Sequence, residues 1–304
     1  MNVIGNKYKF LTLSGLLVLG SVVALVVFGL RQGIDFTGGA LWQVKIEDVS
    51  VNSETLGSYL REKLSVEDAL VTPQPETSSF LVRLKETSEP VHQKYLEQFK
   101  NDYPASEELQ FVSIGPTIGG ELRDKAVWAF LLVILGISLY VAYAFRQVSY
   151  PVSSWKYGVI TLVTLFHDAI IPAGMFAVLG KLWGAEIDSS FVVAVLVVMG
   201  FSVHDTIVVF DRIRENLRME KNARFDFNEL VNRSVNETMA RSVNTSLTLV
   251  LVLVALLFFG APALKYFVLT ILVGTVVGTY SSIFIASPLL TMWRRGDNMG
   301  DKQR

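Results

Sequence analysis

Cysteine, histidine and excess charge are scarce in this sequence of 304 residues. It contains no cysteine and only three histidines. The lack of cysteine excludes disulfide bonds and thiolate chemistry and leaves the redox compartment open. The 27 Lys and Arg residues nearly balance 28 Asp and Glu, for a net charge of −1. Such a chain lacks the basic footprint of nucleic-acid binding, so no nucleic acid is expected among its partners.

Apolar residues, in contrast, are abundant and clustered. They make up 51% of the chain, and the mean hydropathy of +0.43 is more than a soluble protein could bury. They form six runs, whose lengths are close to the roughly 20 residues that a helix needs to cross a bilayer. The runs lie at 10–30, 126–145, 155–179, 189–210, 245–260 and 266–293. The first run has no clear cleavage site and is interpreted as an uncleaved anchor. The sequence predicts a polytopic α-helical membrane protein with six transmembrane helices, five of them within 126–293.

Residues 31–125 form a separate region without long apolar runs, with 16 acidic and 10 basic residues. Alternating apolar residues predict four strands, at 40–47, 69–72, 80–84 and 109–114. Helical spacing predicts two helices, at 53–64 behind a Ser53 cap and at 89–101, where His92 is expected on the surface. The order β-α-β-β-α-β is that of the ferredoxin-like split unit. We therefore expect a ferredoxin-like α+β domain between spans 1 and 2.

Positive residues are distributed unequally between the connections. With six spans, residues 1–9, 146–156, 211–244 and 294–304 share one side and hold 15 Lys and Arg, whereas 180–188 and 261–265 hold two. Because positive loops remain cytoplasmic, both termini and the 211–244 loop are predicted to be cytoplasmic. The 31–125 domain is then extracytoplasmic, and in a bacterium the membrane is the cytoplasmic (inner) membrane.

The 211–244 loop contains a signal for the start of a helix. Asp226 followed by Glu229 resembles a capping box, which predicts a short helix along the membrane surface. Arg241 in the same loop has two interpretations, orientation against lipid headgroups or a specific coupling role.

Two glycine-rich stretches bracket the 31–125 domain, G-I-D-F-T-G-G at 33–39 and G-P-T-I-G-G-E-L at 115–122. Glycine permits sharp turns and close approaches. Neither stretch has the lysine of a phosphate loop or the setting of a dinucleotide fingerprint. A structural bracket or hinge is therefore favoured over a ligand site.

Two pairs of ionisable residues interrupt the apolar runs, His204-Asp205 in the fourth and His167-Asp168 in the third. Each such group costs about 2.5–3.5 kcal/mol at a helix centre and therefore usually has a role in ion or proton movement. The alternative is that they bond facing helices together. The spacing matches no compact metal motif, so a metal site is disfavoured.

Small and polar residues accompany these pairs. Ser202 and Thr206 could supply hydroxyls near Asp205. In the last span, Gly274 and Gly278 lie four residues apart on one face, which lets another helix approach closely. That helix could belong to this chain or to a partner.

Several motifs together resemble the SecF family of protein-export membrane subunits, part of the resistance-nodulation-division superfamily. They are the two glycine-rich stretches, F-S-V-H-D-T-I-V-V-F-D-R-I-R-E-N at 201–216 and N-E-T-M-A-R-S-V-N-T-S at 236–246. The residues that carry the match are Gly33, Asp35, Phe36, Gly38, Gly39, Gly115, Pro116, Gly119, Asp211 and Arg212. One departure is His204, since asparagine often precedes the aspartate in this family.

The resemblance implies a proton-driven subunit that pairs with SecD and pulls preproteins emerging from the SecYEG channel. It implies that Asp205 matches an acidic residue implicated in proton transport. No cofactor, metal or enzymatic activity is implied. Two other hypotheses are a half-transporter for small molecules or lipids and a non-catalytic assembly scaffold. An intramembrane protease is disfavoured, because no serine-nucleophile or paired-aspartate signature stands out.

Overall fold

The computed structural model describes residues 1–48, 50–74, 77–146, 152–220 and 225–293. The chain divides into two compact units. The smaller contains Gln32–Val127 and Glu186–Ser189. The larger contains Met1–Arg31, Trp128–Ala185 and the chain from Ser190 onward.

Helices and strands follow one another along the described parts of the chain. In the first half they are α1 (Lys7–Phe28), α2 (Ile34–Thr37), β1 (Gly39–Ile46), α3 (Ser53–Glu62), β2 (Leu70–Gln74), β3 (Ser79–Leu84), α4 (Glu89–Asp102), β4 (Ser106–Ile114) and α5 (Pro116–Ala144). In the second half they are α6 (Ser154–Trp183), α7 (Ser189–Met219), α8 (Phe227–Phe259), a 3₁₀ turn (Pro262–Leu264), α9 (Lys265–Ser281), a π-helical turn (Ser282–Ala286) and α10 (Ser287–Met292).

Within the described residues, six helices are long and apolar enough to cross a membrane, as predicted. They are α1, α5, α6, α7, α8 and the continuous segment Pro262–Met292. Together with a small sheet in the smaller unit, they define a multi-pass membrane protein with a mixed α/β unit.

The charged segment between the fourth and fifth spans is more helical than predicted. α7 continues to Met219, and α8 begins at Phe227, where Asp226 Oδ1 accepts a hydrogen bond from the Asn228 backbone N–H at 2.9 Å. The predicted helix start after Asp226 is confirmed, whereas the expectation of a short helix is wrong, because α8 continues to Phe259. The helices continue because their polar residues bond across the pair: Arg212 Nε donates to Glu237 Oε2 at 2.6 Å.

The smaller unit contains a four-stranded antiparallel sheet of order β2-β3-β1-β4. The predicted order β-α-β-β-α-β is the order observed. The core contains Trp42 and Val44 of β1, Leu56 of α3 and Phe99 of α4. Every second residue of β1 is buried, so Trp42 and Val44 lie on the same face of the sheet. Leu56 and Phe99 of the two helices belong to the same core on that face.

The N-cap of α3 differs from the prediction. It is Asn52, with Ser53 as the first helical residue. Asn52 Oδ1 accepts from the backbone N–H groups of Glu54 and Thr55, at 3.0 and 2.9 Å, and Thr55 Oγ1 accepts from the Asn52 N–H at 2.9 Å. This reciprocal pair satisfies three backbone donors at the start of the helix, more than a serine cap alone would satisfy.

His92 is buried, not on the surface as predicted, with 2% of its area exposed. Its ring stacks on Phe111 at a centroid distance of 3.6 Å, and its Nε2 lies 2.7 Å from Glu108 Oε2. Glu108 Oε2 also accepts from Trp42 Nε1 at 2.6 Å. Because this carboxylate provides a hydrogen-bond partner, both polar rings can lie in the core.

The segment before α1 is held against α8 in the larger unit. Val3 and Ile4 are buried, and their backbone N–H groups donate to Asn232 Oδ1 at 2.8 and 3.2 Å. Asn236 Nδ2 donates to the Met1 carbonyl oxygen at 2.9 Å. We call this contact the N-terminal clasp.

Candidate functional site

Asp168 lies in the middle of α6 and is completely buried. Its Oδ2 accepts hydrogen bonds from Ser202 Oγ of α7 and, at 2.8 Å, from Ser281 Oγ at the end of α9. Its Oδ1 lies 2.8 Å from His167 Nδ1. Both carboxylate oxygens therefore have hydrogen-bond partners, and three helices meet at this side chain.

His167 is the second ionisable group at this position. It is nearly buried, and among the residues that the structure describes its Nε2 has no hydrogen-bond partner. A carboxylate and an imidazole in direct contact can hold one proton between them. The His167-Asp168 contact is therefore one place in the membrane-spanning helices where a proton can be held.

Asp205 is a second buried carboxylate, one helical turn after Ser202 on α7, with 2% of its area exposed. Hydroxyl groups of two other helices approach its Oδ2. Ser246 Oγ of α8 lies at 3.5 Å and Thr279 Oγ1 of α9 at 3.4 Å, and these hydroxyl oxygens are 2.5 Å apart. Since both distances to Asp205 are near the upper limit for a hydrogen bond, Asp205 is held less tightly than Asp168.

His204 points away from its neighbour Asp205. Successive side chains on an α-helix project about 100° apart, and His204 lies on the exposed side of α7. In the described part of the chain, no hydrogen bond joins it to Asp205. The two His-Asp pairs therefore differ, since only His167-Asp168 forms a direct contact.

Glycine allows these helices to approach closely enough for their hydroxyls to reach the carboxylates. A Cβ added to Gly278 of α9 would lie 2.8 Å from Ser202 Cβ, closer than real Cβ contacts. A Cβ at Gly274 would collide with the Val198 side chain. The glycine face of the last span thus packs on α7 of the same chain.

The hydroxyl groups are arranged differently from the sequence expectation. Ser202 donates to Asp168, not to Asp205, and Thr206 Oγ1 donates to the Ser202 carbonyl of its own helix at 3.2 Å. The donors near Asp205, Ser246 and Thr279, were not predicted. Ser246 ends the motif at 236–246, whereas Thr279 gives no signal beyond being a polar residue in an apolar run.

The two glycine-rich motifs lie against each other in the smaller unit. Gly38 and Gly39 have φ values of +73° and +125°, which disfavour any other residue. A Cβ on Gly38 would lie 2.7 Å from Pro116 Cα, and one on Gly119 would lie 2.8 Å from the Gly38 backbone nitrogen. Pro116 begins α5, so the second motif forms the first turns of that helix.

The remaining motif residues lie at the charged end of α7. Asp211 forms an ion pair with Arg214, and Arg212 bonds Glu215 and Glu237 at 2.6 Å each. These pairs keep α7 helical and fasten it to α8. Arg241 of α8 is exposed.

The ionisable side chains buried in this polar interior are the carboxylates of Asp168 and Asp205 and the imidazole of His167. Within the described ranges no three His, Asp or Glu side chains form a group that could hold a metal ion. Neither Asp168 nor Asp205 forms an ion pair with Lys or Arg among those same residues. A buried carboxylate with only neutral hydroxyl donors and an imidazole nearby is a candidate for reversible protonation.

Comparison with known proteins identifies the family. The model of the family described as protein export membrane protein SecD/SecF, C-terminal, matches residues 94–296. This chain belongs to the SecD/SecF family. The SecD/SecF GG motif matches residues 23–47 as well, which include the first glycine-rich stretch.

Individual SecD/SecF relatives match over nearly the whole chain. The protein translocase subunit SecF of Thermobaculum terrenum is 42% identical, with 98% of this chain and 95% of the relative covered. The protein translocase subunit SecDF of Thermus thermophilus is 39% identical over 91% of this chain but only 37% of its own length.

A solved SecDF structure matches as well. The crystal structure of SecDF from Thermus thermophilus, described as a translocon-associated membrane protein, superposes with a TM-score of 0.82 at 37% identity. The match covers 96% of this chain and 38% of the SecDF chain. This chain thus corresponds to a little over a third of that longer protein.

Proposed function

We propose that this SecD/SecF family member is a SecF-type subunit of the Sec protein-export machinery. With SecD it uses the proton motive force to promote a late stage of preprotein translocation. The polypeptide is moved and not chemically altered. The observation that carries the proposal is the pair of carboxylates, Asp168 and Asp205, buried within membrane-spanning helices beside hydroxyl groups and an imidazole.

The proposed role of Asp205 is that of the proton carrier. An ionised carboxylate attracts donors, whereas a protonated one offers its own O–H, so the preferred arrangement of Ser246 and Thr279 changes with each proton. Those hydroxyls belong to α8 and α9, while Asp205 belongs to α7. Protonation therefore favours a different relative position of three helices, which is the local change that a molecular switch requires.

Asp168 with His167 acts as the relay partner of this site. Ser202 hydrogen-bonds to Asp168 and lies one turn before Asp205 on the same helix. A change in the protonation of either carboxylate therefore acts on α7. In this proposal the exposed His204 is a supporting proton acceptor.

The proposed setting is the bacterial cytoplasmic (inner) membrane, with both termini cytoplasmic. The unit of Gln32–Val127 then lies outside as a ferredoxin-like domain, an interpretation supported by its element order and sheet order. Its partners are SecD, the SecYEG channel and preproteins in transit. The fused SecDF relative supports the pairing with SecD.

The test measures preprotein translocation in proteoliposomes containing the SecYEG channel, the cognate SecD and this chain. Wild type is compared with Asp205→Asn, with and without an imposed proton gradient, after equal complex assembly has been verified. We expect the gradient to accelerate a late stage of translocation in wild type and to have little effect in Asp205→Asn. The reason is that an amide side chain does not take up and release a proton as a carboxylate does.

The matched control is Glu229→Gln, which makes the same chemical change at an exposed position of α8. It should respond to the gradient like wild type. An equal response of wild type and Asp205→Asn would identify Asp205 as structural and favour the scaffold hypothesis.

A further inference from the structure

The G-I-D-F-T-G-G motif of the smaller unit contacts the chain segment that leads into α7. The Gly33 backbone N–H donates to the Ile187 carbonyl oxygen at 2.8 Å, and Gln32 pairs with Ile187 in a short parallel bridge. A Cβ on Gly33 would lie 3.1 Å from that same oxygen. Glycine at this position therefore permits the close approach of two backbones.

Asp35 of the motif binds the first residue of α7. Its Oδ2 accepts a hydrogen bond from the Ser189 backbone N–H at 2.9 Å. The first N–H groups of a helix have no partner within the helix, and an anion near them also interacts favourably with the helix dipole. Asp35 thus binds, from 154 residues away in the chain, the first backbone N–H of α7, which has no acceptor within the helix.

Arg83 of β3 bonds both the glycine motif with its flanking residue and the segment before α7, and so connects them to the sheet. Its Nη1 pairs with Glu186 Oε1 at 2.5 Å, and its Nη2 donates to Thr37 Oγ1 at 2.8 Å and to the Gln32 carbonyl at 3.2 Å. One guanidinium therefore binds the motif and the segment before α7 at the same time. Gly33, Asp35 and Arg83 together form what we call the α7 socket.

We propose that the α7 socket positions the proton-carrying helix, with Asp35 as its main positioning residue. This inference rests on the proposed function for the role of Asp205 as the proton carrier on α7. α7 is continuous from Ser189 to Asp205, a separation of about 24 Å along the helix at a rise of about 1.5 Å per residue. A shift of the helix caused at Asp205 is delivered to the motif at Ser189, and a displacement of the socket acts back on Asp205.

The first test is amide hydrogen exchange of the full chain in lipid nanodiscs, comparing wild type with Asp35→Ala and Asp35→Asn. Loss of the acceptor in Asp35→Ala should speed exchange in peptides covering 186–191 about tenfold, the usual scale for a lost cap. Asp35→Asn keeps an acceptor oxygen and should give a smaller change. Glu97→Ala, an exposed carboxylate on α4, is the matched control and should leave these peptides unchanged.

The second test applies the same variants to the gradient-driven translocation assay at equal complex assembly. We expect Asp35→Ala to lose most of the gradient response, Asp35→Asn to recover part of it and Glu97→Ala to retain it. Unchanged exchange at 186–191 in Asp35→Ala would overturn the socket itself. Faster exchange with a full gradient response would overturn its positioning role.

The two tests separate this inference from the proposed function. If wild type itself shows no response to the gradient, the proton-driven function fails. The exchange result then still decides whether Asp35 holds the start of α7.

Discussion

At the scale of single residues, buried polar groups in this protein differ in how completely they are satisfied. Asp168 has a serine donor from each of two other helices and an imidazole beside it, whereas the hydroxyls of Ser246 and Thr279 lie 3.5 and 3.4 Å from Asp205. A group with weaker partners changes its charge at a lower cost, because less hydrogen bonding is lost. This difference supports Asp205 as the carrier and Asp168 as the more fixed member.

Glu108 gives a prediction at this scale that is independent of the membrane. Glu108→Ala removes the acceptor of Trp42 Nε1 and the partner of His92 Nε2. Leaving these buried groups unpaired should destabilise the smaller unit by about 2–4 kcal/mol. Hydrogen exchange of peptides from β1, α4 and β4 in the full chain measures the effect. Its neighbour Glu107, which is exposed, provides the control Glu107→Ala; equal exchange in the two variants would contradict the prediction.

At the scale of helices, small residues and carboxamides determine which helices meet. Gly278 lets α9 approach α7, and Gly174 of α6 lies against Ser21 of α1. α1 is held in two further places, by the N-terminal clasp and by Tyr280 Oη, which donates to the Phe10 carbonyl at 3.0 Å. Helix association in a membrane depends on this close packing and hydrogen bonding, since lipid tails are as apolar as the side chains.

The N-terminal clasp can be tested because the chain has no native cysteine. Val3→Cys introduces one thiol at a buried position, and a membrane-impermeant maleimide should label it slowly in inverted vesicles. Adding Asn232→Ala and Asn236→Ala removes the acceptor and donors that hold Met1–Ile4, so labelling should become at least tenfold faster. Asn228→Ala, at an exposed position of the same helix, should not change the rate. Fast labelling of the Val3→Cys protein alone would show that the clasp does not form.

At the scale of the whole molecule, membrane orientation decides how a proton gradient can act. Fifteen Lys and Arg in one set of connections against two in the other predict cytoplasmic termini. On that prediction, residues 31–125 are extracytoplasmic and residues 211–244 are cytoplasmic. In the proposed function, protons cross the membrane between these two sides.

Single-cysteine labelling of intact cells tests this orientation. A cysteine at Lys94, exposed on α4, should react with an impermeant reagent from outside. A cysteine at Glu229, exposed at the start of α8, should react only after the cells are permeabilised. The reverse pattern would invert the topology and exclude the proposed arrangement of the smaller unit outside the cell.

Much of this architecture could be predicted because it depends on local patterns. Hydropathy identifies the six spans, since a spanning helix satisfies its own backbone within one continuous segment. Alternation and turn residues identify the order of strands and helices in the smaller unit. Ion pairs with distant partners were less predictable, and so α7 and α8 extend further into the charged segment than expected.

The sequence by itself determined the class of protein, the number of spans, the element order of the small unit and the two buried carboxylates, because each depends on neighbours in the chain. Only the tertiary structure decided that Ser202 serves Asp168, that Ser246 and Thr279 approach Asp205, that His92 is buried and that Asp35 binds the start of α7. Those partners lie tens to more than a hundred residues apart. Their contacts depend on how helices and strands pack, which no local pattern encodes.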